Sequence, residues 1–126
     1  LIPAMSREGV QRGANVLINL TNDAWFGDTA APHQHQLLAL WRAIETRRYL
    51  LRATNTGATT IVNPLGETVL SLPVFAPAKG IQEIQTFTTI TPYVRVGDLP
   101  VWCLSLLVLA FAAFRCWAKD HSATAK

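Results

Sequence analysis

Apolar and polar positions change period several times along this chain. Met5 and Val10 sit among Arg7, Glu8, Gln11 and Arg12, which predicts a short helix from Ala4 to Gly13 with Gly13 as its stop. Val16-Leu17-Ile18-Asn19-Leu20 is a compact apolar run, the pattern of a strand covered on both faces. A polar and aromatic loop, Thr21 to Ala31, follows. Pro32 suits the first turn of a helix. From there to about Arg48, Leu37, Leu40, Trp41 and Ile44 keep helical spacing and form the expected apolar stripe. Glu45 lies three residues from both Arg42 and Arg48 and can pair with either.

The pattern then shortens. Leu50 to Thr54 and Thr59 to Asn63 read as strands around the turn Asn55-Thr56-Gly57, and Asn63-Pro64-Leu65-Gly66 is a strong turn signal. Thr68 to Leu72 and Ile81 to Phe87 are further expected strands, separated by a proline-containing loop from Pro73 to Lys79. Thr88 to Pro100, with Pro92 and Gly97, looks like a linker.

Val101 to Phe114 is a run of fourteen residues in which Ser105 alone is clearly polar. Extended to Leu99–Ala118 it reaches twenty residues, about 30 Å as a helix and enough for a hydrocarbon core. That count places Pro100 in the first turn, lets Arg115 snorkel, and sets Trp102 and Trp117 near opposite ends. The competing reading is a buried C-terminal helix. The uniform apolarity favours the membrane span, and the trailing Arg115, Lys119 and Lys126 put the C-terminus in the cytoplasm.

Composition agrees with this. Of 126 residues, 50% are apolar and 15% charged, against about 25% charged in a typical soluble domain. The mean hydropathy is positive, which argues against disorder. The net charge of +3 is scattered and points to no nucleic-acid partner. Two cysteines exclude a disulfide scaffold and a four-cysteine zinc site. The opening Leu1-Ile2-Pro3 carries no signal-peptide pattern and reads as the middle of a longer chain.

Few residues suggest chemistry. Cys103 lies inside the apolar run and Cys116 beside Arg115, roughly 20 Å apart on a helix, so neither a disulfide nor a nucleophile is expected. His33 and His35 stand near Asp28. Residues two apart do not share a helix face, so a helix-start histidine and a satisfied buried one are preferred to a metal pair. His121 falls in the tail. Asn19-Leu20-Thr21 fits the glycosylation pattern by chance on a strand, and neither Ser6 nor Ser71 sits in a nucleophile elbow. The loop Thr21 to Asp28 is the most unusual segment. Ligands gather beyond the carboxyl ends of strands in open α/β layers. Trp25 and Phe26 either cap the core or line an apolar pocket, with Asn22 and Asp23 orienting polar groups.

The series Asn22-Asp23-Ala24-Trp25-Phe26-Gly27, Pro32-His33-Gln34-His35, Arg42-Ala43-Ile44-Glu45, Arg48 and Arg52-Ala53-Thr54-Asn55-Thr56-Gly57 resembles the apolipoprotein N-acyltransferases. Asn63-Pro64-Leu65-Gly66, Thr91-Pro92-Tyr93 and the last apolar helix fit as well, so the resemblance runs to about Ala118. It implies an α/β fold: the C-terminal part of a nitrilase-like α-β-β-α sandwich followed by one transmembrane helix. The implied division is 1–88 for the catalytic part, 89–98 for a linker, 99–118 for the membrane helix and 119–126 for a cytoplasmic tail.

The activity implied is acyl transfer from a phospholipid, through a cysteine thioester, to the amine of a diacylglyceryl apolipoprotein. It would take place at the bacterial inner membrane, facing the periplasm, with no cofactor or metal. The family's catalytic Glu, Lys and Cys match no position here, because its Cys-Tyr-Glu run falls just before the position of Leu1. The resemblance therefore assigns this chain no catalytic residue and a substrate-binding rim of Asn22, Asp23, Trp25, Phe26 and His33. Another nitrilase-like amidase and a membrane-anchored module without enzymatic activity are the alternatives.

Overall fold

The structure, a computed structural model, describes residues 2–124. Two compact units divide the chain, Leu1–Arg95 and Val96–Lys126.

The first unit is an α/β layer. Helix α1 (Pro3–Gln11) leads into strand β1 (Val16–Thr21), and a 3-10 turn (Ala24–Phe26) precedes helix α2 (Ala31–Thr46). Strands β2 (Tyr49–Thr54), β3 (Thr60–Val62) and β4 (Thr68–Ser71) follow, then the short helix α3 (Pro92–Val96). The sheet order is β1-β2-β3-β4. β1 and β2 are parallel, with Leu17 opposite Leu50 and Asn19 opposite Arg52, and α2 is the crossover that parallel strands require. β3 and β4 return antiparallel.

Pleating sends alternate side chains to opposite faces. On the helix side, Leu17, Leu50 and Val62 meet Val10, Ala39, Ala43 and Val94 in the core. Burying side chains of this kind stabilises a fold by roughly 1.5–3 kcal/mol each. Further along the same face the register turns polar, with Asn19, Arg52 and Thr60 in line. The other face of the sheet is open. Ile18 and Leu20 are 65% and 77% exposed, so the strand expected to be covered on both faces is covered on one.

Helix α2 forms with half of the expected stripe inward: Leu40 packs against the core and Ile44 is half-buried. Ala39, Ala43 and Thr46 are fully buried, whereas Leu37 and Trp41 are more than half exposed. Residues 39, 43 and 46 also keep helical spacing, and their short side chains let the helix axis approach the sheet. Arg42 takes Glu45 as its partner, at 2.6 Å. Arg48 does not compete for that carboxylate. It is buried and donates to the carbonyls of Ala14, Thr46, Arg47 and Thr89. Removal from water pushes its pKa below the ordinary value.

Two further expectations are corrected. Ile81 to Phe87 makes no strand, because this segment joins no hydrogen-bonded ladder of the sheet. Phe87 instead stacks on Tyr49, with ring centroids 6.4 Å apart. The expected linker also contains α3, whose Val94 is fully buried. Arg7 and Gln11 of α1 both donate to the Val94 carbonyl, at 2.9 and 2.7 Å.

The second unit carries helix α4 (Leu99–Thr124). It continues past Ala118 through the stretch expected to be a tail; Ala125 and Lys126 lie outside the described residues. Among the described residues no helix is long and apolar enough to cross a membrane, which corrects the expected span Leu99–Ala118. The unbroken apolar run, Val101 to Phe114, extends about 21 Å against a core of roughly 30 Å, and Arg115 closes it. Cys103 is exposed. The side chains of Cys116 and His121 lie outside the described residues.

Candidate functional site

Parallel pairing brings the carboxyl ends of β1 and β2 to one rim, with Thr21 opposite Thr54. Two loops leave there. One carries Asn22 and Asp23 into the aromatic turn. The other is the turn Asn55-Thr56-Gly57.

Asp23 is the centre of this rim. Its carboxylate accepts from Arg52 Nη2 at 2.6 Å, with both side chains fully buried. Its other oxygen, Oδ1, lies 3.0 Å from His35 Nδ1 and accepts from Thr21 Oγ1 at 3.3 Å. Arg52 Nη2 lies 3.3 Å from the same Nδ1, so a proton on Nδ1 serves the carboxylate and a lone pair there serves the guanidinium. Each nitrogen of Arg52 is used. Nη1 donates to Asn19 Oδ1 at 2.8 Å and Nε to the Ala58 carbonyl at 3.2 Å. The asparagine of the chance glycosylation pattern is thereby committed to the interior of the site.

The two loops are tied together. Asn55 Oδ1 accepts from the Asp23 backbone N–H at 3.1 Å, and Asn55 Nδ2 donates to Asn22 Oδ1 at 2.7 Å. Asn22 Oδ1 also accepts from the Ala24 N–H. Gly57 is required by close approach. A Cβ on it would stand 2.5 Å from Asp23 Oδ2. Loop, turn and strand therefore fix one carboxylate from several sides, with its charge offset inside the fold.

The sequence-predicted rim residues separate into two kinds. Asp23 turns into the protein, and Asn22, at the surface, ties the two loops through Asn55 and the Ala24 N–H. Trp25 and Phe26 face outward, 80% and 39% exposed. Phe26 meets the His35 ring edge-on, with centroids 6.2 Å apart. His33 is exposed near the start of α2 and is not part of this cluster. His35, the expected satisfied histidine, is half-buried and paired with Asp23, not with Asp28. Among the described residues no group of three or more His, Cys, Asp or Glu side chains is placed to hold a metal ion. Beside the turn, a polar cleft of about 140 Å³ runs between Thr54–Thr59 and Leu72–Ala78.

His35, Arg52, Asn55 and Asn19 were not among the residues expected at the site. Arg52 offered a signal, because an arginine in the strand Leu50 to Thr54 needs a counter-charge when it points inward. Its partner lies 29 positions earlier, and only the parallel register identifies it.

Residues 2–89 of this chain match the carbon-nitrogen hydrolase family. The chain belongs to that family. Within the carbon-nitrogen hydrolases it is similar to curated apolipoprotein N-acyltransferases. That of Methylococcus capsulatus is 44% identical over 118 residues, which is 92% of this chain and 23% of the relative. That of Ralstonia nicotianae is 44% identical over 112 residues, 89% of this chain and 21% of the relative. The chain thus spans less than a quarter of the length of these relatives. Among solved structures, an amidase of the nitrilase superfamily from Nesterenkonia AN1 is 24% identical with a TM-score of 0.46, over 58% of this chain and 30% of that one.

Proposed function

We propose that this chain is one segment of an apolipoprotein N-acyltransferase. The observation that carries the reading is the 44% identity to enzymes of that name across nine-tenths of the chain. In this reading a phospholipid acylates a cysteine thiol. The α-amine of a diacylglyceryl apolipoprotein then takes the acyl group, so one hard transfer becomes two easier ones. The Glu, Lys and Cys that perform this chemistry lie upstream of Leu1 in the parent enzyme, which acts at the bacterial inner membrane and faces the periplasm.

The segment contributes a rim. Trp25 and Phe26 border the acyl chain, Asn22 and Asp23 hold their loop, and His33 stands where the acceptor approaches. Two outward aromatics on a loop fixed by a buried ion pair support this role, since apolar ligand contacts gain from surfaces that are already ordered. The open sheet face, with Ile18, Leu51, Ile61 and Leu70, supports an α-β-β-α sandwich in which a second sheet covers it.

The test is genetic. A cell depleted of its own apolipoprotein N-acyltransferase is supplied with the full-length parent gene, and triacylated lipoprotein is measured by mass spectrometry. Restored N-acylation supports the reading. Its absence, with the protein present in the membrane fraction, contradicts it.

A further inference from the structure

We propose that a groove at the far end of β2 is a binding site for a small anionic amphiphile, a single acyl chain that carries one carboxylate or phosphate. The proposal goes beyond the acyltransferase reading and uses no residue of the rim. Tyr49 opens β2 and Thr54 closes it, so groove and rim stand roughly 17 Å apart along the strand. The groove measures about 430 Å³, within the range of small-molecule sites. Tyr49, Phe87, Pro64 and Leu65 supply its apolar surface, and Arg47 is the one charged residue among the described residues that line it.

The walls are held in place. Tyr49 and Phe87 stack on each other. In the turn Asn63-Pro64-Leu65-Gly66, Asn63 Oδ1 accepts from the Leu65 and Glu67 N–H groups at 2.9 and 3.0 Å. The carboxylate of Glu67 is taken up by Asn63 Nδ2 at 2.7 Å. Arg47 ends α2 in the left-handed conformation, with φ at 53°, where helices usually place glycine. A side chain there carries a conformational cost, and such outliers point to a use. Arg47 Nη1 donates to the Pro64 carbonyl at 3.1 Å, which seats the guanidinium at the groove. Its Nε and Nη2 make no hydrogen bond among the described residues. They remain as donors suited to a carboxylate or phosphate. A cation set against apolar and aromatic walls selects a ligand with an anionic head and an apolar body. A neutral chain would leave those donors unpaired, and a cationic one would meet repulsion.

The experiment uses the full-length parent in a non-ionic detergent and a decanoate that carries a photoreactive diazirine. Labelled peptides are mapped by mass spectrometry, so the readout is independent of acyl transfer. Label should fall on the peptides that contain Tyr49, Leu65 or Phe87. Unmodified decanoate should displace it at a concentration about tenfold or more below that of decanol, the scale of a hydrogen bond between charged groups. Lysophosphatidylglycerol is the second competitor. Displacement at lower concentration by this lipid assigns the site to a lipid headgroup, and by decanoate to a free fatty acid. Arg47→Gly removes the cation and suits the left-handed angle. It should weaken decanoate about tenfold or more while the melting temperature stays within about 2 °C of the parent's. Leu65→Glu, an exposed change that brings a like charge to the groove, should also weaken decanoate. Equal displacement by decanol and decanoate, or unchanged binding in Arg47→Gly, would overturn the assignment. Label that avoids all three peptides would show the groove covered by the rest of the parent and would overturn it too.

Discussion

Asp23 shows how much of a site one side chain can organise. It is 1% exposed, and Arg52, which neutralises it, is 2% exposed. Breaking a buried pair by removing one partner strands the other charge, and this typically costs about 3–5 kcal/mol. Asp23→Ala should therefore destabilise the α/β unit by about that much, measured by urea unfolding. Gly57→Ala should cost about 1–3 kcal/mol through overpacking alone, since the added Cβ presses on the same carboxylate. A Gly57→Ala protein as stable as the parent would show that the turn does not fix Asp23. The importance of Asp23 is legible in the sequence as a polar residue directly after an apolar run. Its use is not. Asp23 reads there as a group that orients a ligand, whereas the fold turns it inward onto Arg52 and His35.

At the scale of elements, local pattern locates α1, β1, α2, β2, β3 and β4 to within a residue or two of their ends. It fails where partners decide the outcome. Helix α2 has two candidate stripes at helical spacing. Of the large one, Leu40 and Ile44 are half-buried, whereas Leu37 and Trp41 stay outside because Ala39, Ala43 and Thr46 permit closer packing on the sheet. Ile81 to Phe87 has the composition of a strand but no neighbouring edge in this fold, and a strand is defined by its neighbour. Arg48 ties these elements together. It joins the loop before β1, the end of α2 and the segment at Thr89 through four carbonyls. Arg48→Leu would leave those acceptors without their donor, at a cost of at least about 2 kcal/mol. Amide hydrogen exchange should then accelerate in residues 84–91 more than in β2. Uniform acceleration across the unit would show that Arg48 is not a local clamp.

The whole unit is asymmetric, with helices on one sheet face and none on the other. Ile18, Leu51, Ile61 and Leu70 line a concavity of about 230 Å³ on that bare face. An apolar face of this kind binds a hydrophobic dye or associates with its like. The isolated 126-residue chain should enhance the fluorescence of anilinonaphthalene sulfonate, and Ile18→Lys should reduce that signal by at least half without lowering stability by more than about 0.5 kcal/mol. The sequence hides this asymmetry because Val16 to Leu20 is apolar at every position but Asn19 and so reads as covered on both sides. The isolated chain should also transfer no acyl group. A thiol-reactive lipid probe that labelled Cys103 or Cys116 with turnover would contradict that.

The central claim is that the rim of this segment meets lipid in the parent enzyme, and Trp25 tests it most directly. Trp25 is 80% exposed, so its removal takes little from the packed interior. Exposed substitutions of this kind usually shift stability by no more than about 0.5 kcal/mol. An acyl chain packed against the indole would make the same residue worth roughly 1.5–3 kcal/mol in the loaded enzyme, and about 1.4 kcal/mol is a factor of ten in rate. Trp25→Ala in the full-length parent, assayed for thioester formation and for thermal unfolding on the same preparation, should lose tenfold or more in acylation while its melting temperature stays within about 2 °C of the parent's. An unchanged acylation rate in the folded variant would contradict the account, as would a collapse of thermal stability.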